Sequence, residues 1–144
     1  MTMNDQNISF LLAVNGTLMR GLELEHNMLN NGAFFESEAK TAPCYRLWSI
    51  NDNYPAMIQV DPEDPDAAAI DVEVWSVPAL GLAYILDGEP PGLTIGKIKL
   101  EDERIVFGVI AEPMTVKNMR EITSFGGWRN YIKSQAELAE SNDK

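Results

Sequence analysis

The apolar runs of this sequence are short, and each is cut off by residues that cannot continue a strand or a helix. Residues 8–14 (ISFLLAV) stop at Asn15-Gly16, 43–50 (PCYRLWSI) stop at Asn51-Asp-Asn-Tyr-Pro55, and 69–77 (AIDVEVWSV) stop at Pro78. Such pairs end regular structure because Gly and Asn reach positive φ and Pro cannot donate to a ladder. A chain punctuated in this way builds no long helical bundle. It reads instead as many short strands with a few short helices.

Strands are expected at 8–14, within 33–39 and 43–50, and at 56–60, 69–77, 93–101 and 104–111. In 69–77 the alternation of Ile70, Val72 and Val74 with Asp71 and Glu73 predicts a half-buried strand with its acids toward solvent. The last two strands flank Asp102-Glu103 and predict a hairpin carrying Ile105, Phe107 and Val109 on one face. Leu22, His26 and Leu29 fit one face of a short helix closed by Asn30-Asn31-Gly32, while Pro78 opens an apolar helix that runs through Leu86 and ends at Gly88. A third short helix is expected over 128–138. The segment Asp61-Pro-Glu-Asp-Pro-Asp66 has nothing to bury and predicts a mobile, solvated loop. The fold class is therefore α+β, a small curled mixed β-sheet or barrel with a few short helices. Strands 8–14, 43–50, 69–77, 93–101 and 104–111 are expected to share one sheet. Residues 1–7 read as a disordered N-terminus, 8–133 as a single domain and 134–144 as an acidic polar tail.

A length of 144 residues with 45% apolar content suits one domain with a real core. Eleven basic against 22 acidic residues give a net charge of −11, which repels nucleic acid and anionic membrane surfaces. The single cysteine, Cys44, excludes an intramolecular disulfide, and the single histidine, His26, leaves too few ligands for a structural zinc site. No metal or organic cofactor is expected. No apolar run approaches the roughly 20 residues that span a bilayer, so a soluble, cytoplasmic chain is expected, one compatible with a homodimer through exposed strands.

Two loops carry the chemistry. Asn15-Gly-Thr-Leu-Met-Arg-Gly21 is either an ordinary strand-to-helix turn or a place where N–H groups, the Thr17 hydroxyl and the Arg20 guanidinium converge on an anion. In Asp87-Gly-Glu-Pro-Pro-Gly92, Glu89 sits between an apolar helix and an apolar strand, where burial would move its pKa toward neutrality and suit it to general acid-base work. Of Tyr45 and Arg46, one must face inward and needs a partner there. Cys44 reads as a small core residue and His26 as helix surface. Phe125-Gly-Gly-Trp-Arg129, with Tyr131, is either a lid over a pocket or a clamp on the open end of the sheet.

Several segments in order, AVNGTLMRG, TAPCYRLWSI, IDVEVWSVP, EPPGLTIGKIKLED and REITSFGGWRNYI, resemble the C-terminal domain of allophanate hydrolases, itself related to the γ-glutamylcyclotransferase fold. Gly16-Thr17-Leu18 and Leu86-Asp87-Gly88-Glu89 are similar to the cyclotransferase pattern of Gly-Ser/Thr-Leu and a later essential Glu. The resemblance implies a curled sheet with a pocket between the two loops. Glu89 is the expected catalytic residue, and Asn15, Gly16, Thr17, Leu18, Arg20 and Tyr45 are the expected substrate-binding residues. The chain departs from the pattern at Asn15, where cyclotransferases have an aromatic, and at Leu18, where full-length allophanate hydrolases place a His tied to decarboxylation of N-carboxycarbamate. The expected function is a small-molecule enzyme acting on a small amide, carbamate or γ-glutamyl-like substrate. The alternative is a non-catalytic module that assembles with an amidase or another subunit of a nitrogen-degradation pathway. As a stand-alone relative without the amidase domain, it is not expected to hydrolyse allophanate by itself.

Overall fold

The computed structural model describes residues 8–142. The segment 1–7, expected to be disordered, and the last two residues of the expected tail lie outside the described residues. Among the described residues, eight strands form two sheets. The larger contains β1 (Ser9–Val14), β2 (Phe34–Lys40), β5 (Asp71–Pro78), β6 (Leu93–Lys99) and β7 (Ile105–Ala111), in the order β2-β5-β1-β7-β6. The smaller contains β3 (Tyr45–Ile50), β4 (Tyr54–Gln59) and the two-residue β8 (Arg120–Glu121), in the order β4-β3-β8. β1 is antiparallel to β5 and parallel to β7, so the larger sheet is mixed. Three helices, α1 (Glu25–Asn30), α2 (Ala79–Gly88) and α3 (Trp128–Asn142), complete the α+β fold.

The sheets do not close into a barrel, and 43–50 does not share the sheet of 8–14. The break lies at Thr41-Ala-Pro43: Pro43 has no N–H to continue the ladder of β2, and the chain leaves that sheet before β3 begins. The β6–β7 hairpin forms as expected around Asp102-Glu103, with Glu103 at φ 76° in its turn.

Interior position overrides alternation in β5. It lies between β1 and β2, covered on both faces, so Val72 and Val74 are buried and so are Glu73, at 2% exposure, and Trp75. Glu73 was expected on the solvent side. Instead its Oε1 accepts the Arg20 backbone N–H (2.9 Å) and the Trp75 Nε1–H (3.2 Å), and its Oε2 accepts from Arg20 Nε (3.2 Å) and Arg129 Nη2 (3.0 Å). Burial alone would push this carboxyl up, but the four donors outweigh it and hold the pKa below the ordinary 4.5. One side chain thereby joins the first loop, β5 and α3.

Helix α1 also differs from expectation. It starts only at Glu25, so Leu22 and Leu24 fall in the preceding turns, Met28 alone is buried, and His26 and Leu29 face outward. Residues 134–142, the described part of the expected acidic polar tail, continue α3. The 61–66 segment is largely exposed but not without a partner, because Asp64 reaches back to Arg46 at 3.3 Å and Asp66 lies 3.8 Å from the same guanidinium. Trp128 and Tyr131 are buried in the core, with Phe125 edge-on to Tyr131, which makes the C-terminal aromatics a clamp.

Two measurements check this packing. A Cβ on Gly81 of α2 would stand 2.6 Å from the Asn31 carbonyl oxygen, so Gly81→Ala should cost about 1–3 kcal/mol in denaturant unfolding. Glu73→Gln should cost on the order of 2–3 kcal/mol at pH 7, the scale of hydrogen bonds to charged groups. Because the folded pKa of Glu73 is depressed, its contribution is present above the unfolded value and is lost as pH falls through the folded one. The gap between wild type and Glu73→Gln should therefore close below pH 4.5.

Candidate active site

Three segments distant in sequence meet around a cavity of about 60 Å³. The first is the loop at the end of β1. Asn15 is 3% exposed, and its Nδ2 donates to the Val109 carbonyl at 2.9 Å, pinning the end of β1 to β7. Gly16 follows because of close approach rather than unusual φ, since a Cβ there would lie 2.5 Å from Pro55 Cδ. The loop then folds on itself, with Met19 N–H donating to Gly16 O (3.0 Å) and Leu24 N–H to Thr17 O (2.9 Å). It ends at Gly21, whose φ of 77° a side chain would strain. Among the described residues, the N–H groups of Gly16, Thr17 and Leu18 donate to no protein acceptor.

The second segment is the β3–β4 turn, Asn53 to Pro55. Asn51 and Asp52 both have positive φ (53° and 61°), the backbone that suits a tight hairpin between right-twisted strands. The turn is braced by Asp52 Oδ1, which accepts from the Ser49 hydroxyl and from the Tyr131 hydroxyl, each at 2.6 Å. Helix α3 thus supports a wall of the cavity without entering it.

The third segment is Glu89-Pro90. Helix α2 ends as Glu89 turns to extended backbone (φ −76°, ψ 148°), the conformation required before a proline. Its N–H donates to Leu86 O (3.1 Å), while its carboxyl has no hydrogen-bond or ion-pair partner among the described residues. Burial pushes its pKa up from 4.5 to about 7. The remaining walls are apolar: Val14, Leu18, Leu24, Leu93 and Val109.

Of the residues expected to form a site, Asn15, Gly16, Thr17, Leu18 and Glu89 line this one cavity. Arg20 and Tyr45 do not. The Arg20 guanidinium points to the other side of the loop, 2.9 Å from Glu38 and 3.6 Å above the Phe35 ring, and is also paired with Glu73. Tyr45 is 1% exposed, and its phenol oxygen accepts the Lys99 N–H at 3.1 Å, a core contact between the two sheets. Asn53, Tyr54 and Pro55 were read only as a turn. Nothing in their spacing pointed to Gly16, which they meet through the packing of β4 beside β7. A wider groove of about 460 Å³ lies across Glu73, but its two cations are already paired, Lys40 with Asp71 at 3.0 Å and Arg129 with Glu73.

A carboxyl that titrates near neutrality beside free peptide N–H groups can exchange a proton while those groups hold an oxygen that gains charge. This is the equipment of acyl transfer or elimination at an amide. Residues 10–133 match the family model described as the allophanate hydrolase C-terminal domain. The chain belongs to that family.

A solved structure of a uropathogenic E. coli-specific protein is 51% identical, with a TM-score of 0.84, covering 88% of this chain and 97% of that one. Urea amidolyase of Saccharomyces cerevisiae is 29% identical over 135 residues, 90% of this chain but 7% of the yeast protein. Allophanate hydrolase of Kluyveromyces lactis is 28% identical, with a TM-score of 0.81, over 88% of this chain and 21% of that one. The chain thus spans a small part of these two longer relatives. An AIG2-like mouse protein, 18% identical with a TM-score of 0.59, shares the fold alone. The cyclotransferase-like fold expected of this family member is therefore observed, as two open sheets. No described helix is long and apolar enough to cross a membrane.

Glu89 makes its own stability signature. A carboxyl whose folded pKa is raised contributes stability below its unfolded value and loses it as pH rises through the folded one. Relative to wild type, Glu89→Gln should therefore gain on the order of 2–3 kcal/mol between pH 4.5 and pH 8, read by thermal or denaturant unfolding. A flat difference across that range would remove the buried carboxyl from the account. Gly16→Ala, forced against Pro55, should cost about 1–3 kcal/mol and shrink the cavity.

Proposed function

We propose that this chain is a small-molecule enzyme in which Glu89 carries protons at a small amide, carbamate or γ-glutamyl-like substrate. The observation that carries this reading is a carboxyl without a partner, titrating at about 7, in the same cavity as the free N–H groups of the Gly16–Leu18 loop. In the ionised form Glu89 takes a proton from the attacking amine and returns it to the leaving nitrogen. Bond formation to the carbonyl carbon puts charge on its oxygen, which accepts hydrogen bonds from the loop N–H groups. Asn15 acts by position: its amide holds the loop to β7, so the N–H groups are set before substrate arrives. The substrate-binding set narrows to Asn15, Gly16, Thr17 and Leu18, with Asn53 and Tyr54 added from the β3–β4 turn.

A second reading has its own support. Relatives carry this domain within much longer chains named allophanate hydrolase and urea amidolyase, and the buried Leu18 adds no titratable group to the loop. On that reading the chain is a module that assembles with an amidase, and the cavity is residual.

A mass-spectrometric screen of ureido, carbamoyl and γ-glutamyl compounds with the purified chain separates the two. With the active compound, Glu89→Gln should lower kcat by a factor on the order of 10² to 10⁴ with the fold intact. The wild-type rate should climb as pH rises through about 7, and the variant should lose that limb. Turnover unchanged by the substitution, or no turnover of any compound, favours the module.

A further inference from the structure

The charge of the cavity narrows what can enter it. Among the described residues its ionisable lining side chains are Glu89 and Tyr54, with no Lys, Arg or His. The cations nearest in sequence to the loop and to α3, Arg20 and Arg129, are both committed to Glu73 and line or border the separate groove on the far side of the loop. A ligand carboxylate placed here would leave water for apolar walls, with no counter-ion, beside a carboxyl that ionises in the working pH range.

The free N–H groups of Gly16, Thr17 and Leu18 do not reverse this. They can satisfy one carbonyl oxygen, but they carry no net charge to offset a second anion near Glu89. At a separation of about 5 Å and an effective dielectric of ~20, repulsion between two carboxylates corresponds to a factor on the order of 10² in affinity. An uncharged amide meets both faces. Its oxygen can accept from the loop, its N–H can donate to Glu89, and its alkyl part can rest on Leu24, Leu93 or Val109. The volume sets a second limit. A cavity of about 60 Å³ is far below the roughly 300–1,000 Å³ of pockets for drug-sized molecules, so only a compact group seats fully.

We infer that the cavity selects a compact, uncharged carboxamide, carbamoyl or ureido group and turns away the matching carboxylate. This rests on the reading of the Glu89 cavity as the ligand site, but not on turnover. It divides the substrate classes proposed above: ureas and simple amides enter, whereas an N-carboxy group does not, and a γ-glutamyl compound enters only by its amide end.

Isosteric pairs test it. Propionamide against propionate, and acetamide against acetate, are titrated into the purified chain at pH 8 and pH 6 and followed by ligand-observed NMR. The neutral member should bind at least tenfold more tightly at pH 8. That gap should shrink at pH 6, where Glu89 takes up its proton, and in Glu89→Gln at pH 8. Equal or tighter binding of the carboxylate at pH 8 overturns the inference, as does a gap that neither pH nor the variant changes, or binding of neither member at millimolar concentration. If Glu89→Gln does not fold, the pH comparison on the wild type decides alone. Selective binding of the neutral members without turnover sinks the proton-carrier reading and keeps this one. Glu89-dependent turnover of an N-carboxy compound does the reverse.

Discussion

Glu73 is the constraint on which the rest of this structure depends. It stands in β5, an interior strand of the larger sheet, 2% exposed, where an ionised carboxylate persists only if its hydrogen-bonding capacity is filled. Four donors fill it, from the first loop, from its own strand and from α3. Its grip on the Arg20 backbone sets the far end of the loop whose near end is set by Asn15 on Val109. The loop is therefore tied at both ends, and the Gly16–Leu18 N–H groups between them are held in place. The same carboxylate takes Arg129, so α3 is docked by the same charge, and its Tyr131 then reaches Asp52 in the β3–β4 turn.

The two carboxyls, Glu73 and Glu89, show how environment rather than residue type assigns a role. Both leave water on folding. Glu73 meets two guanidiniums, an indole N–H and a peptide N–H, and its pKa falls; Glu89 meets apolar walls and no partner, and its pKa rises to about 7. The first is a structural anion at every physiological pH. The second is a group whose charge the fold opposes, which is the condition for moving a proton near neutrality. Relatives carry this domain within longer chains named allophanate hydrolase and urea amidolyase.

Much of this was legible in the sequence because it is local. The punctuation of short apolar runs predicted the strands and the α+β class, the Asp102-Glu103 pair predicted its hairpin, and Pro78 predicted the start of α2. Glu89 stood out because a carboxylate between an apolar helix and stiff prolines has few ways to reach water. Where a side chain's partner lies far along the chain, local pattern failed. The alternation in β5 placed Glu73 in solvent, and the guanidinium in the loop suggested that Arg20 would meet a ligand; for Tyr45 the need for an inward hydrogen-bond partner was legible, but not that the partner is a peptide N–H of β6.

The sequence by itself determined the elements, the family and the two loops that carry chemistry, because each is written in adjacent residues: turn pairs, proline positions, a run of apolar side chains. Only the tertiary structure decided that the sheets stay open, that Pro55 closes on Gly16 across the core, and that one glutamate is compensated while the other is not. Those outcomes depend on which strand becomes central and which loop covers it. Strand neighbours are chosen by long-range pairing and burial, which spacing along one strand does not encode.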